Sequence, residues 1–233
     1  MANDGTKGDV VLKKLGFSDD KILFLLNGLD ERIRKDINKE EIEKKRKELH
    51  LDEKDIVLGI FNRFYPFKRI DRAVYLLKEL KKEICDPYLL IGGMGGPTEE
   101  AIKKYVIENG LENNVLFLGA VDYESVLLYY RLCNIILILN DYANTGNQLL
   151  EATYLGKQVI AIDDENNSKI LRYGNIHYVK PSNFLEEALK AALEIYKNRD
   201  YLEEQINSNI FTWKERMEIE LTKVNEILEN WGK

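Results

Sequence analysis

The chain has 233 residues, 45% of them apolar, and a net charge of −6. That length suffices for one large core or two small ones, and the composition is that of a folded soluble protein. The negative charge argues against general nucleic-acid binding, which appears as a basic surplus, and no apolar run approaches the roughly 18 residues needed to span a bilayer.

The first segment, residues 1–38, lies outside any regular alternation of elements. Residues 1–8 are polar and lack an apolar secretion region, which predicts a cytoplasmic protein. Residues 5–37 predict a helix, a short strand at Ile22–Leu26 and a turn at Asn27–Gly28. Because no crossover connects that strand to later ones, we expect it to pair with something outside the chain or to expose apolar area.

A charged amphipathic helix is predicted at 39–49, and from Asp55 onward short apolar runs alternate with helical patterns. Most runs are continuously apolar, as in strands covered on both faces. Such alternation predicts a Rossmann-like, doubly wound α/β domain: a parallel sheet of about six strands with helices on both faces. The predicted strands are Ile56–Phe61, Tyr88–Ile91, Val115–Leu118, Ile135–Leu139, Val159–Ile162 and Ile176–Val179, and the helices 69–83, 98–109, 122–132, 147–156 and 183–198.

The last segment, residues 201–231, is polar and predicted to be helical. Apolar residues at helical spacing form one stripe on it, which predicts a packing element. We therefore expect three parts: 1–38, a main domain at 39–212, and a C-terminal helix at 213–233. The stripe consists of Trp213, Met217, Leu221, Val224 and Leu228.

The cysteines and histidines indicate no metal chemistry. Cys85 and Cys133 are isolated, so two buried core thiols are expected rather than a disulfide or zinc site. His50 and His177 stand alone, which supports neither a metal site nor a catalytic triad.

In open α/β sheets, ligands bind beyond the carboxyl ends of the strands, so the residues after each strand are the candidates. After the first strand, Arg63 and Lys68 flank a proline-containing loop that leads into a helix. Two cations near a helix N-terminus suit a diphosphate. Basic residues after a strand are also common without any ligand, so both interpretations stay open here.

After the second strand comes the glycine-rich segment Gly92–Pro97. Glycine lets a backbone approach a ligand closely, but the spacing is not GxGxxG and no acidic ribose partner follows about 20 residues later, which disfavours a dinucleotide fold. The alternative is a strand-to-helix turn capped by Thr98, with Glu99 and Glu100 in the first helical turn.

After the fourth strand, a polar segment leads directly into a helix. Free backbone amides of Asn147, Gln148 and Leu149 are expected to point out of the helix start, where anions bind. Glu151, about one turn further on, either accepts hydrogen bonds from a ribose diol or lies on a solvated face; from this segment alone the solvated face is favoured.

Together these segments resemble the C-terminal, nucleotide-sugar-binding domain of family 4 (group 1) glycosyltransferases, enzymes of the two-domain GT-B fold. The resemblance runs from Ile22 to Trp213 and follows the family's order of motifs. The matching segments are Lys21–Asp30, Gly59–Arg63 with Lys68, Ile91–Pro97, Val115–Val121, Leu150–Ala152 with Gly156–Ile160, and Phe211–Trp213.

The resemblance implies retaining transfer of a sugar from a nucleotide-diphosphate donor to a hydroxyl acceptor, in polysaccharide, glycolipid or other glycoconjugate synthesis, with no cofactor and no metal. It implies that Arg63 and Lys68 bind the diphosphate and act in catalysis, and that Glu151 holds the ribose. Further donor-binding residues implied by the resemblance are Gly95, Val121, Gly146, Asn147, Gln148 and Leu149.

The sequence departs from the family pattern in two ways. Ala143 stands where the family has a glutamate that contacts the donor sugar, so Asp141, Asn144 or backbone amides near Gly146 and Asn147 are expected to replace it. Only residues 1–38 could belong to the acceptor domain. We therefore expect that domain elsewhere, in the same gene or in a separate chain, with any membrane contact peripheral and made through it.

Other functions remain compatible with these residues. A non-catalytic nucleotide-sugar-binding subunit and a GT-B-fold sugar epimerase are the main alternatives. A phosphorylase would need a pyridoxal-binding lysine, which no segment indicates. A flavodoxin-like signalling domain would need an acidic cluster after the first strand, where Asn62 and Arg63 stand instead.

Overall fold

The computed structural model describes residues 2–3, 8–35, 37–142, 145–165, 167–199, 206–207 and 209–230. Within these ranges the strands are β1 (Ala2–Asn3), β2 (Leu25–Leu26), β3 (Val57–Phe61), β4 (Tyr88–Gly92), β5 (Val115–Gly119), β6 (Ile135–Ile138), β7 (Gln158–Ile162) and β8 (Ile176–Val179). The α-helices are α1 (Gly8–Lys14), α2 (Lys39–Glu48), α3 (Ile70–Glu83), α4 (Glu99–Glu108), α5 (Tyr123–Leu132), α6 (Asn147–Tyr154), α7 (Asn167–Ile170), α8 (Phe184–Asn198) and α9 (Trp213–Asn230).

The main sheet has six parallel strands in the order β5-β4-β3-β6-β7-β8. β3 lies at its centre, where Leu58 is in register with Leu89 of β4 on one side and with Ile135 of β6 on the other. All five residues of β3 are buried, as expected for a strand covered on both faces. The predicted doubly wound α/β fold with six parallel strands is therefore confirmed.

Each face of the sheet is covered by a separate apolar cluster. One cluster joins the sheet to α3, α4 and α8, with Leu76, Leu77 and Ala188 completely buried. The other joins it to α5 and α6 and includes Tyr130 and Leu150. The two clusters fix the positions of the helix N-termini at the carboxyl edge of the sheet.

The N-terminal segment is more closely integrated than its sequence indicates. The short strand β2 pairs in parallel with β1, so the prediction that it finds no partner in this chain is wrong. Only Leu25 and Leu26 form it, and a 3-10 turn at Asp19–Lys21 precedes it. Leu29 and Ile33, further along, are buried in the same cluster as α5 and α6.

The start and end of the main domain meet at one point. The Leu29 N–H donates to Phe211 O and the Trp213 N–H donates to Leu29 O, both at 2.9 Å. Gly28 allows this approach, since a methyl group there would lie 2.5 Å from the Trp213 Cα. Thr212 precedes α9, and its N–H and hydroxyl both donate to Glu215 Oε2, at 2.8 and 3.0 Å.

The apolar stripe of α9 does not pack within the described part of the chain, so that prediction is wrong. Its residues are exposed because α9 leaves the body of the domain after its first turn, where Arg216 is its one buried residue. The exposed fractions are 40% for Trp213, 52% for Met217, 58% for Leu221, 49% for Val224 and 64% for Leu228. No helix in the described ranges is both long enough and apolar enough to cross a membrane.

The two cysteines differ in environment. Cys133 is buried as predicted, and burial raises the pKa of its thiol to about 12. Cys85 is exposed, so the prediction for it is wrong. It lies in the turn after α3, where its thiol donates to Asp86 Oδ2 at 3.2 Å.

Candidate functional site: a polar cavity at the carboxyl edge of the sheet

The candidate site lies where the chain changes direction across the sheet. From β3 the chain proceeds outward through β4 and β5, and it then returns to β6 on the other side of β3. The loops after β3 and β6 therefore part at the carboxyl edge and leave a crevice, the usual position of ligands in open α/β sheets. Arg63 and Lys68 follow β3, and Gly146–Glu151 follows β6.

A cavity of about 150 Å³ occupies this crevice. Lys68, a predicted ligand in the loop after β3, and the start of α6, a predicted anion site in the loop after β6, both line this cavity. Its lining residues are Asn62, Lys68, Ile138, Asn140, Gly146, Asn147, Gln148 and Leu149. The structure thus brings together five of the predicted donor-binding residues.

The two predicted cations differ in exposure. Arg63 is exposed, with its guanidinium carbon 5.6 Å from the centre of the Tyr65 ring. Lys68 is partly buried in the 3-10 turn Pro66–Lys68. Burial lowers the pKa of Lys68, and the charge of nearby Arg63 lowers it further. An anion in the cavity would oppose both effects.

Ion pairs hold the loop after β3, which carries Arg63 and Lys68, against the loop that follows β6. Arg69 adopts a left-handed conformation, with φ of 52°, immediately before α3. Its guanidinium pairs with Asp71 and, at 3.0 Å, with Asp141 Oδ1. The same Asp141 oxygen also lies 3.0 Å from Arg72. Asp141 Oδ1 therefore links the two loops, and the replacement of the family glutamate by Asp141 stays a prediction.

The start of α6 offers fewer free amides than predicted. The Leu149 N–H donates to Gly146 O at 3.1 Å, so the prediction of a free amide at Leu149 is wrong. A 3-10 hydrogen bond closes this first turn. The Gln148 side-chain amide donates to Phe61 O at the end of β3, and Asn147 Oδ1 accepts from Asn27 Nδ2 at 3.1 Å. Both side chains attach the helix start to neighbouring segments.

Glu151 is 6% exposed, so the solvated-face alternative is wrong. Burial raises the pKa of Glu151, and the charge of Asp30 acts in the same direction. The hydroxyl groups of Tyr123 and Tyr130, beside the carboxylate, oppose this shift and favour the ionised form. A buried carboxylate with few donors is costly unless a ligand or neighbour bonds to it.

The glycine loop after β4 packs tightly against the end of β3. A methyl group at Gly93 would lie 2.1 Å from Asn62 O, and one at Gly96 would lie 2.3 Å from Phe64 O. Both residues have positive φ, 137° and 133°, which glycine adopts without strain. Gly95 is exposed, and its N–H donates to Glu99 Oε2 at 2.7 Å.

Two other predictions concern the neighbourhood of this loop. Thr98 does not cap α4 with its side chain as predicted; instead its hydroxyl donates to Phe64 O at 2.8 Å and ties the loop to the first one. Val121, two residues after β5, lies beside the end of β4: a methyl group on Gly92 would be 3.3 Å from Val121 Cγ2.

Three cavity residues were not predicted from the sequence: Asn62, Ile138 and Asn140. Asn62 is buried, and its Nδ2 has no hydrogen-bond partner among the residues that the structure describes. Buried amide groups are normally paired, so Asn62 offers a donor to a ligand in the cavity. Its position directly after a buried strand was the available signal. Ala143 and Asn144, where a sugar contact was expected, lie outside the described residues.

A larger cavity of about 430 Å³ lies between α3 and α4 and is lined mainly by apolar and aromatic groups, including Tyr65, Tyr75 and Tyr105. None of the predicted donor-binding residues lines it. We take the smaller cavity as the candidate site, because cationic and amide groups converge there at the switch point of the sheet. The described part of the chain contains no cluster of His, Cys, Asp or Glu that could hold a metal ion.

The fold is that of the α/β nucleotide-sugar-binding domain found in GT-B glycosyltransferases. The family model "Glycosyl transferases group 1" matches residues 41–213, which is more than half of the chain. The chain therefore belongs to the group 1 glycosyltransferase family.

Solved structures with the same fold are distant in sequence. HepE of Anabaena in complex with UDP-glucose has a TM-score of 0.72 and 18% sequence identity. The matched region covers 86% of this chain and 55% of the HepE chain. A glycosyltransferase from Rickettsia africae has a TM-score of 0.68 and 17% identity, covering 95% and 62%. WaaG, a glycosyltransferase of lipopolysaccharide biosynthesis, has a TM-score of 0.67 and 17% identity, covering 86% and 57%.

The chain thus spans about 55% of the length of the HepE structures. No curated protein matches the sequence.

Proposed function

We propose that this chain is the donor-binding part of a retaining glycosyltransferase, which moves a sugar from a nucleotide-diphosphate donor to a hydroxyl acceptor in glycoconjugate synthesis. The observation that carries the proposal is the cavity between Lys68 and the start of α6, at the switch point of the sheet. Family membership and the UDP-glucose held by HepE support the choice of ligand class.

In the proposed reaction, Arg63 and Lys68 stabilise the negative charge that develops on the departing diphosphate. Such groups act in the transition state, so no side-chain nucleophile and no cofactor is required. The lowered pKa of Lys68 supports this role, because a partly buried ammonium next to Arg63 gains most from an arriving anion. Loss of one such group is expected to raise the barrier by about 3 kcal/mol.

The proposed position of the nucleoside follows from α6. Glu151 lies one turn after the cavity-lining residues Asn147 and Gln148, so a diphosphate at the helix start would bring its ribose toward this carboxylate. Gly95 and Val121 lie on the neighbouring loops and are proposed to border the nucleobase. For the sugar, the Asn62 amide, which has no partner in the part of the chain that the structure describes, supports binding by donors around Gly146 in place of the missing glutamate.

The acceptor domain is proposed to be a separate part of the complete enzyme, encoded in the same gene or in another chain. Two observations support this proposal. The chain spans about 55% of the length of the HepE structures, and the α9 stripe leaves apolar side chains exposed from Trp213 to Leu228. Contiguous exposed apolar surface commonly marks a protein interface. We further propose a cytoplasmic location and peripheral membrane contact at most.

Titration calorimetry with UDP, GDP and ADP tests the proposal. At least one nucleoside diphosphate is expected to bind, and the same ligand is expected to raise the unfolding temperature by mass action. Turnover of the corresponding nucleotide sugar by this chain alone is expected to be undetectable. Absence of binding by all three would contradict the assignment, and release of free nucleotide with an altered sugar would favour an epimerase.

A further inference from the structure

One tyrosine beside Glu151 has an unused hydroxyl. Tyr123 is the first residue of α5, and its hydroxyl oxygen is buried without a hydrogen-bond partner among the described residues. Buried tyrosine hydroxyls usually find a partner, so an unpaired one needs an explanation. Burial raises the pKa of Tyr123, and the Glu151 carboxylate is the second cause, which puts the hydroxyl next to that carboxylate.

The Tyr123 ring is held from outside by the N-terminal segment. The Arg32 guanidinium carbon lies 4.7 Å from the ring centre, a cation–π contact. Arg32 is in turn fixed by Asp30, whose two carboxylate oxygens accept from Arg32 Nε and Nη2 at 2.9 and 2.8 Å. Asp30 also caps the 3-10 turn Glu31–Arg34 by accepting from the Arg32 N–H.

This arrangement matters for Glu151 through charge. The negative charge of Asp30 raises the pKa of Glu151, and pairing with Arg32 compensates that charge. A buried carboxylate that accepts hydrogen bonds stays ionised more readily. Four lone-pair positions are available on a carboxylate, enough for a tyrosine hydroxyl and a vicinal diol together. Tyr130, on the same helix as Tyr123, is completely buried and borders the carboxylate from within the core.

We propose that Tyr123 is a positioning residue for the donor ribose. When a nucleoside diphosphate binds, the Tyr123 hydroxyl donates to Glu151 and orients the carboxylate toward the two ribose hydroxyls, while the Asp30–Arg32 pair keeps the ring in place. This inference rests on the proposed function, and it assigns residues 30–32 to the wall of the donor site.

The test compares Tyr123→Phe in the full chain with Tyr129→Phe as a matched control. Phenylalanine keeps the ring on Arg32 and removes only the hydroxyl. Tyr129 lies on the same helix but stacks on Phe61, with ring centres 6.2 Å apart. Calorimetry would measure the affinity of each variant for UDP, or whichever of GDP and ADP binds better, and for its 2′,3′-dideoxy analogue.

Tyr123→Phe is expected to weaken binding of the ribose ligand by about fivefold, the size of one ordinary net hydrogen bond, and that of the dideoxy analogue by less than about twofold. The control is expected to change neither affinity. Arg32→Gln, a second variant, is expected to show the same selective loss, because it frees the Tyr123 ring and leaves Asp30 unpaired.

Equal losses for both ligands would indicate a merely structural role and overturn the positioning proposal, as would unchanged affinities in Tyr123→Phe. Failure of the unaltered chain to bind any of the three nucleoside diphosphates would overturn the proposed function, and this inference with it. Circular dichroism of each variant separates a folding defect from a binding defect.

Discussion

The two sides of the candidate donor site are built in opposite ways. Arg63 is exposed and Lys68 is partly exposed. Both lie on the loop after β3, which ion pairs fix to the loop after β6. Glu151 lies in a helix, almost fully buried, with tyrosines around it. A solvated cation keeps its charge at little cost to folding, whereas a buried carboxylate opposes folding until donors reach it. The first side thus supplies charge, and the second supplies selective geometry at the expense of stability.

The largest effect is expected on the cation side. Arg63→Ala combined with Lys68→Ala should weaken nucleoside diphosphate binding at least about tenfold, because charge-assisted contacts to phosphate are lost. Calorimetry at low and high salt measures it, and the variant should also show a smaller salt dependence. Lys44→Ala with Lys47→Ala on α2, which removes two exposed charges elsewhere, is the control. Unchanged affinity in the site variant would invalidate the diphosphate assignment.

An effect of intermediate size is expected for a substitution of Glu151, which should weaken nucleotide binding but stabilise the fold. Glu151→Gln should weaken nucleoside diphosphate binding by about fivefold, through loss of a charged acceptor. The free protein should nevertheless unfold at a higher temperature near neutral pH. Because the pKa of Glu151 is raised in the folded state, its contribution to stability is present at acid pH and is lost as the pH rises through that pKa.

Calorimetry and thermal unfolding at neutral pH measure the two quantities. The stability difference between the variant and the unaltered chain should disappear below the unfolded-state pKa of about 4.3. Lower stability of Glu151→Gln at neutral pH would mean that the carboxylate is well compensated in the free protein, and the contrast between the two sides would fail.

The smallest effect is expected in the pH dependence of affinity. As the pH falls through the raised pKa of Glu151, the carboxyl group becomes protonated and should lose about half or more of its contribution to ribose binding. Affinities measured from neutral to acid pH for the unaltered chain and for Glu151→Gln would reveal it as a difference between two curves. Parallel curves would argue that another group titrates.

Much of the fold was predictable because it is encoded locally. Most of the six strands of the main sheet are continuous apolar runs, and α3 carries a clear apolar stripe, so both could be identified without knowing their neighbours. The order of the strands was not encoded in that way. It depends on β6 pairing with β3 rather than with β5, a contact between residues far apart in sequence.

The site was predictable in part for the same reason. Lys68 and the start of α6 could be identified because ligand-binding residues follow strands. The contact of Tyr123 with Glu151 joins two helices, and the stacking of Arg32 on Tyr123 joins the N-terminal segment to one of them. The exposed α9 stripe was also misjudged, since apolar spacing indicates that a face is to be covered but not which molecule covers it.

The crossing of Leu29 with Phe211 and Trp213 has a mechanical consequence. Both chain connections leave the main domain at one spot, beside Asn27 and its contact with Asn147 at the start of α6. A body attached at a single spot can rotate while both of its connections stay short. That spot lies next to the cavity, because Asn147 both contacts Asn27 and lines the cavity.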